Sequence, residues 1–323
     1  MVQRGTSTFS DPSAYAAAFG DARVLLTISS GGDFSARFVE LRLRYSGVYR
    51  CSEALSRIAF ICLPPDRISV TFPCGRTSLV SNGFSLAPRE IALHGPGERI
   101  HQLGKNICEW GLISFEPDQL LSCARALTGR TLNVGNGSKR VHPSRADAMR
   151  FHHVLTQACQ LAGARHDLVE RPEVARALDQ ELLHAVINCL FSQEDAEGSR
   201  KAHRHAAIMA RLEAALESRI ATKLSIPDLC TEIGVPERSL RACCTDFLGI
   251  GPGKYLLLRR LNLARLALQK AHSSTSSVAE IARSLQFSEL GRFAESYRSA
   301  FGELPSVTLQ RSSQTSPRFA EPA

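Results

Sequence analysis

Residues 225–247 read SIPDLCTEIGVPERSLRACCTDF, and the order of residue types follows the grammar of two short helices crossing through a tight turn. Such a crossing brings two backbones together. It needs a small residue at the contact, a glycine to turn the chain and apolar residues at set positions on either side. Ser225 suits the N-cap of the first helix, and Pro227 suits an early helical position. Leu229 and Ile233 fall on the inner face, Cys230 is the small residue at the crossing, Gly234 supplies the turn and Val235 plugs the corner. Pro236 opens the second helix, whose inner face is Leu240, then Cys243 or Cys244, then Phe247.

The plan recurs about fifty residues on, where residues 277–301 read SVAEIARSLQFSELGRFAESYRSAF. Val278, Ile281 and Leu285 face inward, Ala282 is the small crossing residue, Phe287 plugs the corner and Ser288 is placed to cap the next helix. Leu290, Phe293, Tyr297 and Phe301 then share one helical face. Between the two units lies GPGKYLLLRRLNLARLALQK. Gly249, Gly251 and Gly253 end one helix and let another start, and no Lys-Ser/Thr follows as a phosphate loop requires. Leu257, Leu261, Ala264 and Leu268 form the inner stripe of that joining helix, with Arg259, Arg260 and Arg265 expected outside it. One such motif arises easily by chance, whereas two in tandem joined by a helix are specific.

The 206–311 stretch resembles the AraC/XylS-type DNA-binding domain, most tellingly in FLGIGPGKYLLLRRLNLARLAL, SVAEIARSLQFSELGRF and YRSAFGELPS. The resemblance covers about a third of the chain. It implies an all-α domain of seven helices in which each unit offers a recognition helix to successive major grooves on one face of double-stranded DNA. The two readers would then lie about one helical turn, ~34 Å, apart. It further implies that Arg238, Arg241 and Ala242 face DNA from the first reader, and Gly291, Arg292 and Glu295 from the second. Arginine suits bidentate contact with guanine. Glu237 and Glu289 can accept from cytosine or simply favour their helix N-termini. Arg200, Lys201, Arg204 and Lys254 are candidates for phosphate contacts. Two residues depart from the family pattern: Gln286 stands where a glycine is usual in the second turn, and Glu295 where an arginine is frequent. RNA polymerase and a second copy of the chain are further partners that the resemblance implies.

Charge agrees with a polyanionic partner. The chain of 323 residues carries a formal +8, of which residues 199–311 hold +7 and residues 1–198 only +1. Such asymmetry is the electrostatic footprint of phosphate binding, with affinity from counterion release.

Upstream, the pattern changes. Val39, Leu41, Leu43 and Tyr45 alternate with Glu40, Arg42 and Arg44, the period of a half-buried strand. Short apolar runs at 57–63, 67–72, 77–86, 89–94 and 107–115 are punctuated by Pro64-Pro65, Pro73-Cys74-Gly75, Asn82-Gly83 and Gly95-Pro96-Gly97. This spacing predicts an antiparallel barrel or sandwich. Helical periodicity begins at Pro117, with Leu120, Leu121, Ala124 and Leu127 on one face, and continues in helices over about 144–163 and 171–191. In the second of these, Val174, Leu178, Leu182, Ala185 and Cys189 form a stripe for a neighbouring helix or for the same helix of a second subunit. Strands followed by helices resemble, more weakly, the cupin-like sensory halves of such regulators, in which a small-molecule effector is bound. No ligand residue carries across.

The expected architecture is therefore α+β: a cupin-like antiparallel β-barrel domain over 1–143, a helical dimerisation region over 144–197, a linker over 198–205, the DNA-binding domain over 206–311 and a disordered Ser/Pro-rich tail over 312–323. The ten cysteines make no C-x-x-C pair and read as reduced core thiols, although the adjacent Cys243 and Cys244 leave a redox switch open. No apolar run approaches a membrane span and the first ten residues lack a signal-peptide core, so a cytoplasmic protein is expected. No G-x-S-x-G, H-E-x-x-H or P-loop is present, and no enzyme activity or cofactor is expected. The competing reading is a cupin-type metalloenzyme fused to the DNA-binding domain, motivated by His94, Glu98 and His101 around the Gly95-Pro96-Gly97 turn. His152 and His153 read as surface histidines, and Trp110 as core or pocket wall.

Overall fold

The first half of the chain is rich in β-branched and aromatic residues between Gly, Pro and Asn punctuation, and it folds as strands. The computed structural model describes residues 3–75, 78–135, 137–164, 169–192, 200–218, 225–272 and 275–315. Two units emerge, one of residues 1–26 and 34–207 and the other of residues 27–33 and 208–323.

In the first unit, one antiparallel sheet of seven strands has the order β1 (Gln3–Phe9), β3 (Ala36–Arg42), β4 (Ser46–Glu53), β11 (Cys108–Phe115), β6 (Ile68–Pro73), β9 (Ile91–His94) and β12 (Lys139–Val141). The second sheet has five: β2 (Arg23–Ile28), β5 (Arg57–Cys62), β10 (Arg99–Gly104), β7 (Leu79–Ser81) and β8 (Phe84–Leu86). The single run expected at 77–86 is a hairpin, turned at Asn82-Gly83 with φ of 45° and 78°. Positive φ at both residues is what a two-residue hairpin turn demands.

The expected barrel is not closed. No ladder joins the two sheets among the described residues, and the strands at one end of each, β12 in the first and β8 in the second, have only three residues each. Side chains span the gap instead. Arg57 of β5 donates from Nε to Glu53 Oε2 of β4 at 2.7 Å and from Nη1 to the Gln102 carbonyl of β10 at 2.9 Å. Trp110 Nε1 and the Tyr15 hydroxyl donate to the other Glu53 oxygen at 3.0 and 2.8 Å. Arg57 and Glu53 are fully enclosed, so this ion pair is viable only because its hydrogen bonds are so completely supplied.

The opposite face of the seven-stranded sheet packs on helices. Helix α1 (Pro12–Ala17) precedes β2, and α2 (Pro117–Thr128), α3 (Arg145–Ala164) and α4 (Pro172–Phe191) follow the sheets. The last two match the periodicity of the sequence. Leu178, Leu182, Ala185 and Cys189 of α4 enter a core with Phe151, Leu155 and Ala158 of α3 and Val48, Val70, Phe72 and Ile113 of the sheet. From Leu178 on, the α4 stripe is thus consumed within its own chain, while Val174 at its start is only half buried. Leu127, expected beside Leu120 and Ala124, is instead half exposed at the end of α2. His152 is half buried against the Phe72 and Phe151 rings, and burial lowers its pKa, whereas His153 is exposed as expected.

Candidate nucleic-acid interface

Seven helices follow among the described residues: α5 (Arg200–Ser218), α6 (Ile226–Ile233), α7 (Glu237–Leu248), α8 (Pro252–Lys270), α9 (Val278–Ser284), α10 (Leu290–Phe301) and α11 (Pro305–Thr315). The linker expected over 198–205 is therefore helical from Arg200, and the tail expected from 312 is helical to Thr315. Arg204 is exposed and His205 half buried in the early turns of this helix, whose buried face, Ile208, Met209 and Leu212, begins only later. Residues 193–199 and 316–323 lie outside the described residues.

Both helix pairs form as their residues dictate. Ser225 accepts from the Asp228 N–H while Asp228 reaches back to the Ser225 backbone. Ser277 and Glu280 form the same reciprocal capping box at α9. Leu229, Ile233, Leu240, Cys243, Cys244 and Phe247 are buried in the first pair, and Ala282, Phe287, Phe293, Tyr297 and Phe301 in the second. Gly234 turns the first pair at φ +63° and Gln286 turns the second at φ +65°, a left-handed conformation that suits glycine. The cap of α10 is Glu289 rather than Ser288. Burial pushes the Cys244 thiol up to about 12, which keeps it protonated and unreactive, so a redox switch there finds no support.

Helix α8 fastens the two pairs together. Its inner stripe is Leu258, Leu261, Ala264 and Leu268, with Leu257 only half buried. Arg265, expected outside that stripe, is buried with its guanidinium 4.7 Å from the Phe301 ring and 4.0 Å from Glu303. Arg260 lies 4.7 Å from the ring of Phe287, the corner plug of the second pair. At the other end, Glu213 of α5 is wholly buried. It accepts from the Tyr255 hydroxyl at 2.7 Å and from Arg259 Nη1. Burial drives the Tyr255 hydroxyl well above its ordinary range, and Glu213 beside it adds to the rise. For Arg259 burial acts downward, but the charges of Tyr255 and Glu213 reverse it and hold the guanidinium protonated. Cation–π contacts and a buried ion pair thus do what periodicity alone assigned to leucines.

All six expected DNA-facing residues are exposed: Arg238, Arg241 and Ala242 on α7, and Gly291, Arg292 and Glu295 on α10. The arginines are partly restrained. Arg241 donates to Glu237 at 2.8 Å, one turn back, and Arg292 Nε lies 3.1 Å from Glu289. Among the expected phosphate contacts, Arg204 and Lys254 are exposed, while the side chains of Arg200 and Lys201 lie outside those described. Arg211 of α5 was not singled out by sequence. It is exposed, with Nη1 4.0 Å from where a Cβ would stand on Gly234, at the turn between α6 and α7. An isolated helical arginine carries no motif that could have marked it.

The metal reading fares differently. Ser138 gives its one proton to Glu98, so it must accept from His94 Nδ1 at 2.8 Å. The other nitrogen of His94 meets Thr71 Oγ1 at 2.8 Å. Both imidazole nitrogens are therefore committed to hydroxyls. The His101 ring lies 5.0 Å from Phe60. Among the described residues no group of three or more His, Cys, Asp or Glu is placed to hold a metal ion. The first unit does contain a cavity of about 270 Å³, whose lining includes Phe19, Arg42, Tyr49, Arg67, Leu112 and Ser114. No described helix is long and apolar enough to cross a membrane.

Residues 229–311 match the model of a helix-turn-helix domain family. The chain is 38% identical over 96 residues to the XylDLEGF operon transcriptional activator of Pseudomonas putida, and 34% identical over 95 residues to the probable thc operon regulatory protein of Rhodococcus erythropolis. The matches span 30% and 29% of those proteins' own lengths, and 30% and 29% of this chain. A crystal structure of a probable AraC family transcriptional regulator from Rhodopseudomonas palustris is 30% identical, with a TM-score of 0.30, covering 32% of this chain and 96% of that one.

Proposed function

The chain belongs to the AraC/XylS family of transcription regulators through its C-terminal helix-turn-helix pairs, and from that premise we propose that the whole protein is a ligand-responsive regulator acting at sequence-specific sites on double-stranded DNA. One observation carries the reading. Two capped helix pairs, locked to one bridging helix, each leave an arginine-bearing helix exposed in a segment that holds nearly all the chain's positive excess. Arg238, Arg241, Arg292 and Glu295 read bases; Ala242 and Gly291 let the helix backbone approach the groove. Lys254, Arg204, Arg200 and Lys201 anchor phosphates. The protein works by binding rather than by catalysis, in the cytoplasm, as a homodimer, with RNA polymerase as the partner that converts occupancy into transcription.

The first unit, with its facing antiparallel sheets, serves as a cupin-like effector domain. Its cavity of about 270 Å³ joins an apolar wall of Phe19, Tyr49 and Leu112 to a charged one, where Arg42 pairs with Asp21 and Arg67 and Asp66 stand alongside, a lining suited to a small polar molecule. Fluorescence anisotropy of the full chain on the DNA upstream of its own gene, against a scrambled duplex of equal length, tests the reading. Preference for the upstream DNA of about a thousandfold or more is expected, and equal binding to both duplexes contradicts it. A metabolite that raises the thermal midpoint of the wild type but not of Leu112→Trp, which fills the cavity, locates the effector there.

A further inference from the structure

The four helices of the two pairs differ in how their N-termini are used. The supporting helices α6 and α9 begin with complete capping boxes, in which a serine and a carboxylate satisfy the first backbone N–H groups. The exposed helices α7 and α10 begin with carboxylates as well, Glu237 and Glu289, yet neither N-terminus has a side-chain cap. Each carboxylate turns instead to an arginine on the outer face. Glu237 Oε1 takes Arg241 Nη2 at 2.8 Å, and Glu289 Oε2 takes Arg292 Nε at 3.1 Å. All four side chains are more than half exposed, so the pairs do little for stability. The pairing recurs on both outward helices in different registers: Glu237 is the first residue of α7 and meets Arg241 four residues on, whereas Glu289 stands at the N-cap of α10 and meets Arg292 three residues on.

We infer that Glu237 and Glu289 are specificity-determining residues of the two DNA readers. The inference rests on the reading of α7 and α10 as recognition helices. A carboxylate on a helix entering the major groove meets a wall of phosphates, and it gains nothing there unless it accepts a hydrogen bond. Of the groove-edge donors, the cytosine amino group is the one a carboxylate reads by itself, while its neighbouring arginine is matched to guanine. The glutamate–arginine pair therefore fits a step that offers both. On other sequences the carboxylate stays repelled, and its arginine stays tethered to it rather than free to grip a phosphate. Both glutamates thus weaken binding to non-cognate DNA and sharpen selection at one position in each half-site.

The test uses the purified full chain, with wild type, Glu237→Gln and Glu289→Gln each taken through selection from a randomised duplex library. Anisotropy titrations follow on the selected duplex and on a scrambled one. Each glutamine variant is expected to tighten binding to the scrambled duplex and to reduce the ratio of selected to scrambled affinity on the order of tenfold. The loss of cytosine preference should fall at one position for Glu237→Gln and at a second position about ten base pairs away for Glu289→Gln. Unchanged selected sequences, with both affinities shifted by a common factor, would overturn the inference while leaving the readers in place. A wild type that selects no sequence at all would overturn the readers and the inference together. Thermal midpoints within a degree or two of wild type show that the variants are folded, as exposed pairs allow.

Discussion

Gln286 pays a conformational cost at the turn of the second helix pair. Its φ of +65° lies in the left-handed region, which disfavours a residue with a Cβ by about 1–2 kcal/mol. Replacing it with glycine removes that strain against glycine's own entropic cost, so Gln286→Gly should stabilise the helical unit by about 0.5–1 kcal/mol. A calorimetric scan should show a midpoint a few degrees higher, and a lower midpoint would contradict this. The residue was visible in sequence as a departure from the family pattern, because turn chemistry is local. Glu98 was legible only in part: His94 and the Gly95 N–H are its neighbours across the Gly95-Pro96-Gly97 turn, where the sequence suggested a metal site, but Ser138 lies 40 residues on and no local pattern placed it there. Burial alone would raise its pKa, but these hydrogen bonds prevail and hold it below the ordinary range. Its folded value lies beneath its unfolded one, so its stabilisation is complete above the unfolded pKa and is lost as pH falls through the folded value. Urea midpoints of the first unit should accordingly fall more steeply for wild type than for Glu98→Gln between pH 6 and pH 3, to the degree that this carboxyl governs acid unfolding. Parallel pH profiles would show that it does not.

Among the elements, the helices were the most readable. Stripes at 3.6-residue spacing placed α3 and α4 within a residue of where they lie. The strands of the central sheet were less so, because β6 is buried throughout and β4 alternates only over its second half. β1 escaped notice because its residues, QRGTSTF, are largely polar and it lies at an edge of its sheet. Periodicity also mistook the inner face of α8, since Arg259 and Arg265 are amphipathic and pack their stems inward. The Glu213–Arg259 pair binds α5 to α8, with the carboxylate wholly buried and the arginine reaching it from a partly exposed position. Arg259→Ala leaves a buried carboxylate without its cation and should cost about 3 kcal/mol or more. Replacing both residues with leucine should recover much of that loss, because a buried pair is close to break-even against apolar packing. Urea denaturation of the three proteins decides it. A double variant no more stable than Arg259→Ala would mean that the pair contributes through more than charge balance.

On the scale of the whole molecule, two chemically unlike halves share one chain. The first is nearly neutral, is built of facing sheets and helices and holds a partly open cavity, and the second carries the excess charge on exposed helices. The charge asymmetry was plain from composition, whereas the open edges of the two sheets depend on long-range pairing that no local pattern encodes. If the basic half neutralises about five phosphates, log affinity for a non-cognate duplex should fall with log salt at a slope of about −4 to −5. A slope near zero would remove electrostatics from the account. The central claim, that α7 and α10 read DNA side by side, is tested most directly by comparing the sites selected by wild type, Arg238→Ala and Arg292→Ala from one random duplex library. Two half-sites about ten base pairs apart are expected for wild type, with Arg238→Ala losing base preference in one and Arg292→Ala in the other. Full preference retained in both halves by both variants would contradict it.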